Sequence, residues 1–143
     1  MSIKEIQDEI IEEFAMFDDW MQKYNHLIDL SKNIPMISEA HRLDANLIKG
    51  CQSKVWLHAE NLEGKVTYMA DSDAIITKGI AALLIRVLSG QNAKDILENE
   101  MYFIDTIGLN EHLSMTRSNG LVSMVKQMKF YALAFQSQKK MHE

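Results

Sequence analysis

The chain has 143 residues, 47% of them apolar and 24% charged, with a formal net charge of −5. These proportions are typical of a globular protein with one core, and the acidic balance disfavours nucleic-acid partners, which need clustered Lys and Arg side chains. One cysteine cannot form a disulfide within the chain, and no stretch has the apolar length of a signal peptide or a bilayer span. We therefore expect a single domain over residues 1–143, cytoplasmic and without a membrane partner.

The first 35 residues predict two amphipathic helices. Ser2 and Glu5 have the spacing of a capping box, and apolar residues follow at intervals of three and four as far as Phe17. Asp18 or Asp19 is placed to cap a second helix, which must end near Pro35 because proline breaks the helical hydrogen-bond pattern. We interpret both helices as scaffold.

The middle of the chain predicts a β-hairpin. Apolar and polar residues alternate over 53–60 and again over 65–70, and a turn containing Gly64 separates the two runs. Antiparallel pairing brings the outer ends of a hairpin together, so residues 71–73 should return to the start of the first strand. The sequence also allows a short third strand within residues 42–48.

Helices dominate the rest of the chain. Residues 75–89 are apolar around most of a helical circumference, which predicts a central buried helix that Ser72 or Asp73 caps. Asn92 begins a short helix, and a last long helix starts near Thr116. The fold class is α+β, with a small antiparallel sheet packed against several helices.

The single cysteine, Cys51, is the candidate for chemistry. Free cysteines are most often inert packing residues with apolar neighbours. Cys51 instead follows Gly50, which suits a tight turn, and precedes the polar residues Gln52 and Ser53 at the start of the first strand. This placement favours a reactive thiol at the end of a rigid element.

Three segments of the chain carry a family resemblance. The run Gly-Cys-Gln-Ser-Lys-Val-Trp at 50–56 resembles the signature of the SufE family, the sulfur acceptors that work with cysteine desulfurases in iron–sulfur cluster assembly. Asp-Ser-Asp at 71–73 with Lys-Gly at 78–79 resembles the second motif of the family, and residues 109–121 resemble the third. Ala70 and Met115 depart from the residues common at their positions, glycine and proline.

The resemblance implies a SufE/IscU-like fold and a sulfur acceptor. Cys51 would take persulfide sulfur from a PLP-dependent cysteine desulfurase, SufS-like or CsdA-like, stimulate that enzyme, and pass the sulfur to a downstream cluster-assembly scaffold. The chain would be a sulfurtransferase-like accessory protein without self-sufficient turnover. It would bind no cofactor or metal of its own, because the PLP belongs to the desulfurase.

Several residues are candidates to support Cys51. An unperturbed thiol has a pKa of roughly 8.5, so transfer needs a group that favours the anion, and Arg117 is the first candidate. Arg117 is equally well explained as an exposed residue that opens a helix. Asp73 would disfavour a neighbouring thiolate and fits a capping or docking role better.

Four more candidates have structural explanations of comparable weight. Gln52 and Ser53 can donate hydrogen bonds to the loop or to a persulfide, or can simply form a turn. Trp56 can line a pocket but more readily serves sheet packing. His112 lies within the third motif and is adequately explained by helix capping or loop bracing.

Three other functions are alternatives to sulfur transfer. An IscU-like cluster scaffold is disfavoured because a cluster needs several ligands, usually cysteines. A metal enzyme using His26, His41, His58, His112 and the Asp71/Asp73 pair is disfavoured because no two histidines have ligand spacing on one helix. A non-catalytic regulatory module that binds a desulfurase remains open, with Cys51 only structural.

Overall fold

The computed structural model describes residues 1–50 and 53–142. It begins with helix α1, Ile3–Ala15, and helix α2, Trp20–Ser31. The capping box is confirmed: the Glu5 N–H donates to Ser2 Oγ and the Ser2 N–H donates to Glu5 Oε1, both at 3.1 Å. Asp19 caps α2 by accepting from the Gln22 N–H at 2.9 Å.

A three-stranded antiparallel sheet follows, in the order β1-β2-β3. Strand β1 is Val55–Leu62, β2 is Lys65–Ser72 and β3 is Gln91–Asn92. The predicted strands are 53–60 and 65–70. Strand β1 therefore starts and ends two residues later than predicted, while β2 starts where predicted and ends two residues later. A two-residue turn joins β1 and β2. Its φ angles are both positive, 53° at Glu63 and 85° at Gly64, as in the tight turns whose twist matches that of the flanking strands.

The third strand is not where the sequence pattern placed it. Residues 42–48 contain the second of two short 3-10 turns, Glu39–His41 and Asp44–Asn46, and their main chain pairs with the sheet through an isolated bridge between Leu47 and Trp56. The chain turns on both sides of Leu47, so no ladder extends from that bridge. The short β3 takes the third place by pairing with the other edge of β2.

Helix α3, Ile75–Leu88, is the predicted central helix and is buried on most sides. Its N-cap is Ala74, and no side chain caps it, so the expected capping by Ser72 or Asp73 is wrong. Both side chains are engaged elsewhere: Ser72 Oγ accepts from the Ala74 N–H, and Asp73 accepts from the chain that precedes β1.

Four further helices complete the described part of the chain: α4, Ala93–Glu98; α5, Phe103–Thr106; α6, Leu109–His112; and α7, Met115–His142. Asn92 caps α4 as expected. The buried Tyr68 hydroxyl donates to the Met128 carbonyl at 2.6 Å and so ties β2 to α7, and burial raises its pKa. Across the described ranges no helix combines the length and the apolar character needed to cross a bilayer.

Candidate functional site

The segment that contains Cys51 is held at its base by main-chain hydrogen bonds. The Ile48 N–H donates to the Val55 carbonyl at 2.9 Å, and Leu47 bridges Trp56. Ile48 and Val55 are both buried. The residues that flank 49–54 are therefore held together at the end of the sheet; we call residues 49–54 the cysteine loop.

Asp73 fixes the second half of that base. Its carboxylate Oδ1 accepts from the Lys54 N–H at 3.0 Å, and its own N–H donates to the Lys54 carbonyl at 3.2 Å. This reciprocal pair continues the β1–β2 ladder one step beyond the pairing of Val55 with Ser72. The expectation that residues 71–73 return to the start of the first strand is confirmed.

Gly50, the second residue of the cysteine loop, has a left-handed backbone conformation. Its φ is 87°, which L side chains rarely adopt, and an added Cβ would lie 3.0 Å from Ser123 Oγ on α7. The turn expected at Gly50 is confirmed. Ser53 is half-buried at the other end of the loop, while Cys51 and Gln52 lie outside the described residues.

Trp56 lies on the opposite face of β1 from the buried Val55 and is half-buried. The Arg42 guanidinium lies over its ring, 5.4 Å from the centroid, and also pairs with Asp71. Lys78 on α3 pairs with the other carboxylate oxygen of Asp71 at 3.2 Å. Asp71, with a side chain only 13% exposed, thus joins two cations from different parts of the chain beside the loop base.

An open groove lies next to the start of the cysteine loop. Its volume is about 440 Å³, and its lining combines apolar side chains with two lysines: Ala45, Leu47, Ile48, Lys49, Ser123, Lys126, Gln127 and Phe130. Phe130 is 62% exposed, which is unusual for a large aromatic side chain. The groove therefore presents exposed apolar surface beside two lysine side chains.

His112 lies among the helices. Its ring stacks on Trp20 with centroids 3.9 Å apart, and its Nδ1 lies 3.0 Å from the Gly108 carbonyl. The Tyr24 hydroxyl donates to the His112 carbonyl at 2.6 Å. These contacts join α6 to α2, which is the loop-bracing arrangement considered for His112.

Arg117 lies in the first turn of α7 and is exposed. Its N–H donates to Ser114 Oγ at 3.3 Å, and its side chain takes no part in the ion pairs between described residues. That placement agrees with an arginine that opens a helix. Its assistance to the thiol stays a prediction.

The structure thus collects Gly50, Ser53, Trp56 and Asp73 at one end of the hairpin. Sequence reasoning missed Arg42, which precedes the loop in a segment without periodicity. Asp71 and Lys78 did carry a signal, because both fall within the second motif, but nothing in the sequence showed that they pair.

Known proteins resemble this chain over most of its length. Residues 8–132 match the family model SufE, described as the Fe–S metabolism associated domain. An uncharacterised SufE-like protein of Rhizobium meliloti is 39% identical over 127 residues, covering 85% of this chain and 91% of that protein. A second, from Synechocystis, is 37% identical over 127 residues, covering 89% of this chain and 80% of that one.

A solved structure has the same fold. The solution structure of a hypothetical protein from Thermus thermophilus matches with a TM-score of 0.77 at 20% identity, over 92% of this chain and 96% of that one. The α+β fold is therefore confirmed. With matches to the family model and to these relatives over most of its length, the chain belongs to the SufE family, which is associated with Fe–S metabolism.

Proposed function

We propose that the protein is a sulfur acceptor and carrier that takes persulfide sulfur from a PLP-dependent cysteine desulfurase onto Cys51. The donor would be SufS-like or CsdA-like, and the recipient a cluster-assembly scaffold. Membership of a family associated with Fe–S metabolism supports the pathway, and the Cys51 motif supports the chemistry.

The transfer step needs one thiol on each protein. The Cys51 thiolate attacks the terminal sulfur of the partner's cysteine persulfide, forming a new S–S bond as the partner's S–S bond breaks. The partner leaves as a thiolate, and the proton released from Cys51 neutralises it. One persulfide disappears and another forms, so the step needs no external oxidant or reductant.

The observation that carries the proposal is the rigid base of the cysteine loop. The bonds from Ile48 to Val55 and between Lys54 and Asp73 close a six-residue segment on the end of the sheet. Reactive residues are commonly presented on loops that a rigid scaffold positions. The neighbouring β1–β2 ladder makes such a scaffold.

Within this proposal the supporting residues have distinct roles. Gly50 allows the chain to turn into the loop, and Asp73 anchors its end through main-chain hydrogen bonds. Gln52 and Ser53 hydrogen-bond the loop or the persulfide. Arg117 favours the thiolate during transfer, with a permanent positive charge.

The desulfurase docks on the groove beside the loop. Lys49 and Lys126 line it, so an acidic or persulfide-bearing segment is attracted, and the exposed Phe130 supplies an apolar contact. Phe130→Ala should weaken binding of the desulfurase about tenfold or more, since exposed aromatics are frequent hot spots. Met16→Ala, at an 81% exposed apolar residue outside the groove, is the matched control.

Intact mass spectrometry tests the transfer directly. After incubation with a desulfurase and cysteine, the wild-type chain should gain one sulfur atom, which a reductant removes. Cys51→Ser should gain none. Unchanged mass of the wild type after incubation with each desulfurase of the host would contradict the proposal.

Desulfurase activity separates the carrier from the regulatory module. If Cys51 accepts sulfur, Cys51→Ser loses stimulation of the desulfurase and largely keeps binding. If the protein is only a regulatory module, Cys51→Ser keeps stimulation. A pull-down measured beside the activity assay shows that a loss of stimulation is not a loss of binding.

A further inference from the structure

Two histidines far apart in the sequence are stacked beside the sheet. His41 ends the first 3-10 turn and His58 lies on β1, yet their ring centroids are 3.7 Å apart with an interplanar angle of 8°. Glu60 projects from the same face of β1 as His58, and its Oε1 lies 3.4 Å from His58 Nε2. One ligand atom from each residue lies within 4.8 Å of the other two.

We propose that His41, His58 and Glu60 form a binding site for a divalent transition metal of the zinc class. Two imidazole nitrogens and one carboxylate oxygen are a donor set that zinc accepts, with a fourth position left for water or an incoming ligand. The described residues contain no other group of three such side chains this close together.

The backbones of the three ligands are fixed. His58 and Glu60 pair with Met69 and Thr67 in the β1–β2 ladder. The His41 N–H donates to the Ser38 carbonyl at 3.1 Å, and the His41 carbonyl accepts from the Asn46 side chain. Binding then requires side-chain movement only, which keeps its entropic cost low.

Metal binding requires a specific movement of the side chains. A metal lies in the plane of an imidazole that binds it, and two parallel stacked rings do not share a plane. One ring must therefore turn about its Cβ–Cγ bond. The three ligand atoms, which lie within 4.8 Å of one another, must also converge on one point about 2.0–2.1 Å from each. The His58 side chain is 18% exposed, so solvent and metal reach it.

Metal binding at this site would join the segment before the cysteine loop to β1. Arg42, which follows His41, contacts both Trp56 and Asp71. The metal would thus stabilise the face of the hairpin that the 3-10 turns cover. The inference does not depend on sulfur transfer.

Calorimetric titration of zinc or Co²⁺ into metal-free protein tests the site. The protein must have no histidine tag and carry Cys51→Ser, so that neither tag nor thiol binds the metal, with wild type measured in parallel. We expect one ion per chain, and a loss of about tenfold or more in affinity for His41→Gln and His58→Gln. Glu39→Gln, which removes a carboxylate of the same segment outside the cluster, should leave the affinity unchanged.

Nitrogen-15 spectra of the histidine rings give an answer that does not depend on the variants folding. Zinc should shift the ring nitrogens of His41 and His58 and leave those of His26 and His112 in place. Binding that survives both glutamine substitutions, ring signals that do not move, or no binding at micromolar zinc would each overturn the proposal.

Discussion

Two regions of the molecule are held together by different interactions. Close backbone packing joins α2 to α3, whereas hydrogen bonds and ion pairs hold the base of the cysteine loop. Where α3 crosses α2, Gly79 lies so close that an added Cβ would be 2.2 Å from the Leu27 carbonyl oxygen. At the loop base, polar groups dominate: Asp73 binds the main chain of Lys54, and Asp71 joins Arg42 to Lys78. The first region should be sensitive to added volume and the second to lost charge or hydrogen bonding.

Gly79→Ala should have the largest effect on stability. Alanine normally stabilises a helix by roughly 0.5–1 kcal/mol relative to glycine. Here the methyl group would meet the backbone of α2, which cannot move aside as a side chain does, so we expect a loss of about 1–3 kcal/mol or more. Chemical denaturation measures it.

Ala82→Gly is the control for helix propensity, because Ala82 lies on the same helix and is only partly buried. It should cost roughly 1 kcal/mol. A stabilising Gly79→Ala would show that the helices are not in close contact at this point.

Asp71→Asn should have the second-largest effect on stability. The side chain is 13% exposed and faces two cations, so the neutral amide leaves Arg42 and Lys78 without their shared counter-charge. We expect a loss of about 1–3 kcal/mol by chemical denaturation. Asp29→Asn, at an exposed pair with Lys32, is the matched control and should stay within about 0.5 kcal/mol of wild type.

Asp73 should affect sulfur transfer more than stability. Asp73→Ala removes the acceptor for the Lys54 N–H, and we expect a loss of only about 0.5–1.5 kcal/mol in stability. The cysteine loop would lose one anchor, so the transfer rate should fall about tenfold.

Asp73→Asn separates anchoring from charge. The amide oxygen still accepts from the Lys54 N–H, so this variant should transfer sulfur at close to the wild-type rate. A rate as low as that of Asp73→Ala would mean that the negative charge, and not the hydrogen bond, is what the loop requires.

The smallest expected effect is on the pH dependence of stability, and it comes from Glu13 on α1. Burial alone would raise the pKa of Glu13, but hydrogen bonds from His26 and Arg86 and their charges outweigh it and hold the pKa below its ordinary 4.5. A lowered pKa in the folded state means that this stabilisation is present above pH 4.5 and is lost as the pH falls through the folded-state value.

Glu13→Gln should therefore flatten the fall in stability below pH 4.5. Unfolding measured at several pH values from 7 to below 4 checks this slope. An unchanged slope would mean that the contacts of Glu13 with His26 and Arg86 do not persist in solution.

Much of the local structure followed from the sequence. The capping box at Ser2, the caps at Asp19 and Asn92, and the alternation on β1 and β2 depend on residues within a few positions of one another. The motif around Cys51 also predicted the family, and the match to the family model confirms it. Such features can be predicted because backbone preferences and burial patterns depend on residues close together in the sequence.

Contacts between distant residues needed the tertiary structure. The third strand, the pairing of Arg42 with Asp71, and the stacking of His41 on His58 each connect positions at least 17 residues apart. Asp73 illustrates the limit: its type and place suited a helix cap, yet its carboxylate binds Lys54 instead. Residue type and local spacing determine which hydrogen-bonding groups are available at a position. The packing of the whole chain determines which partner those groups bind.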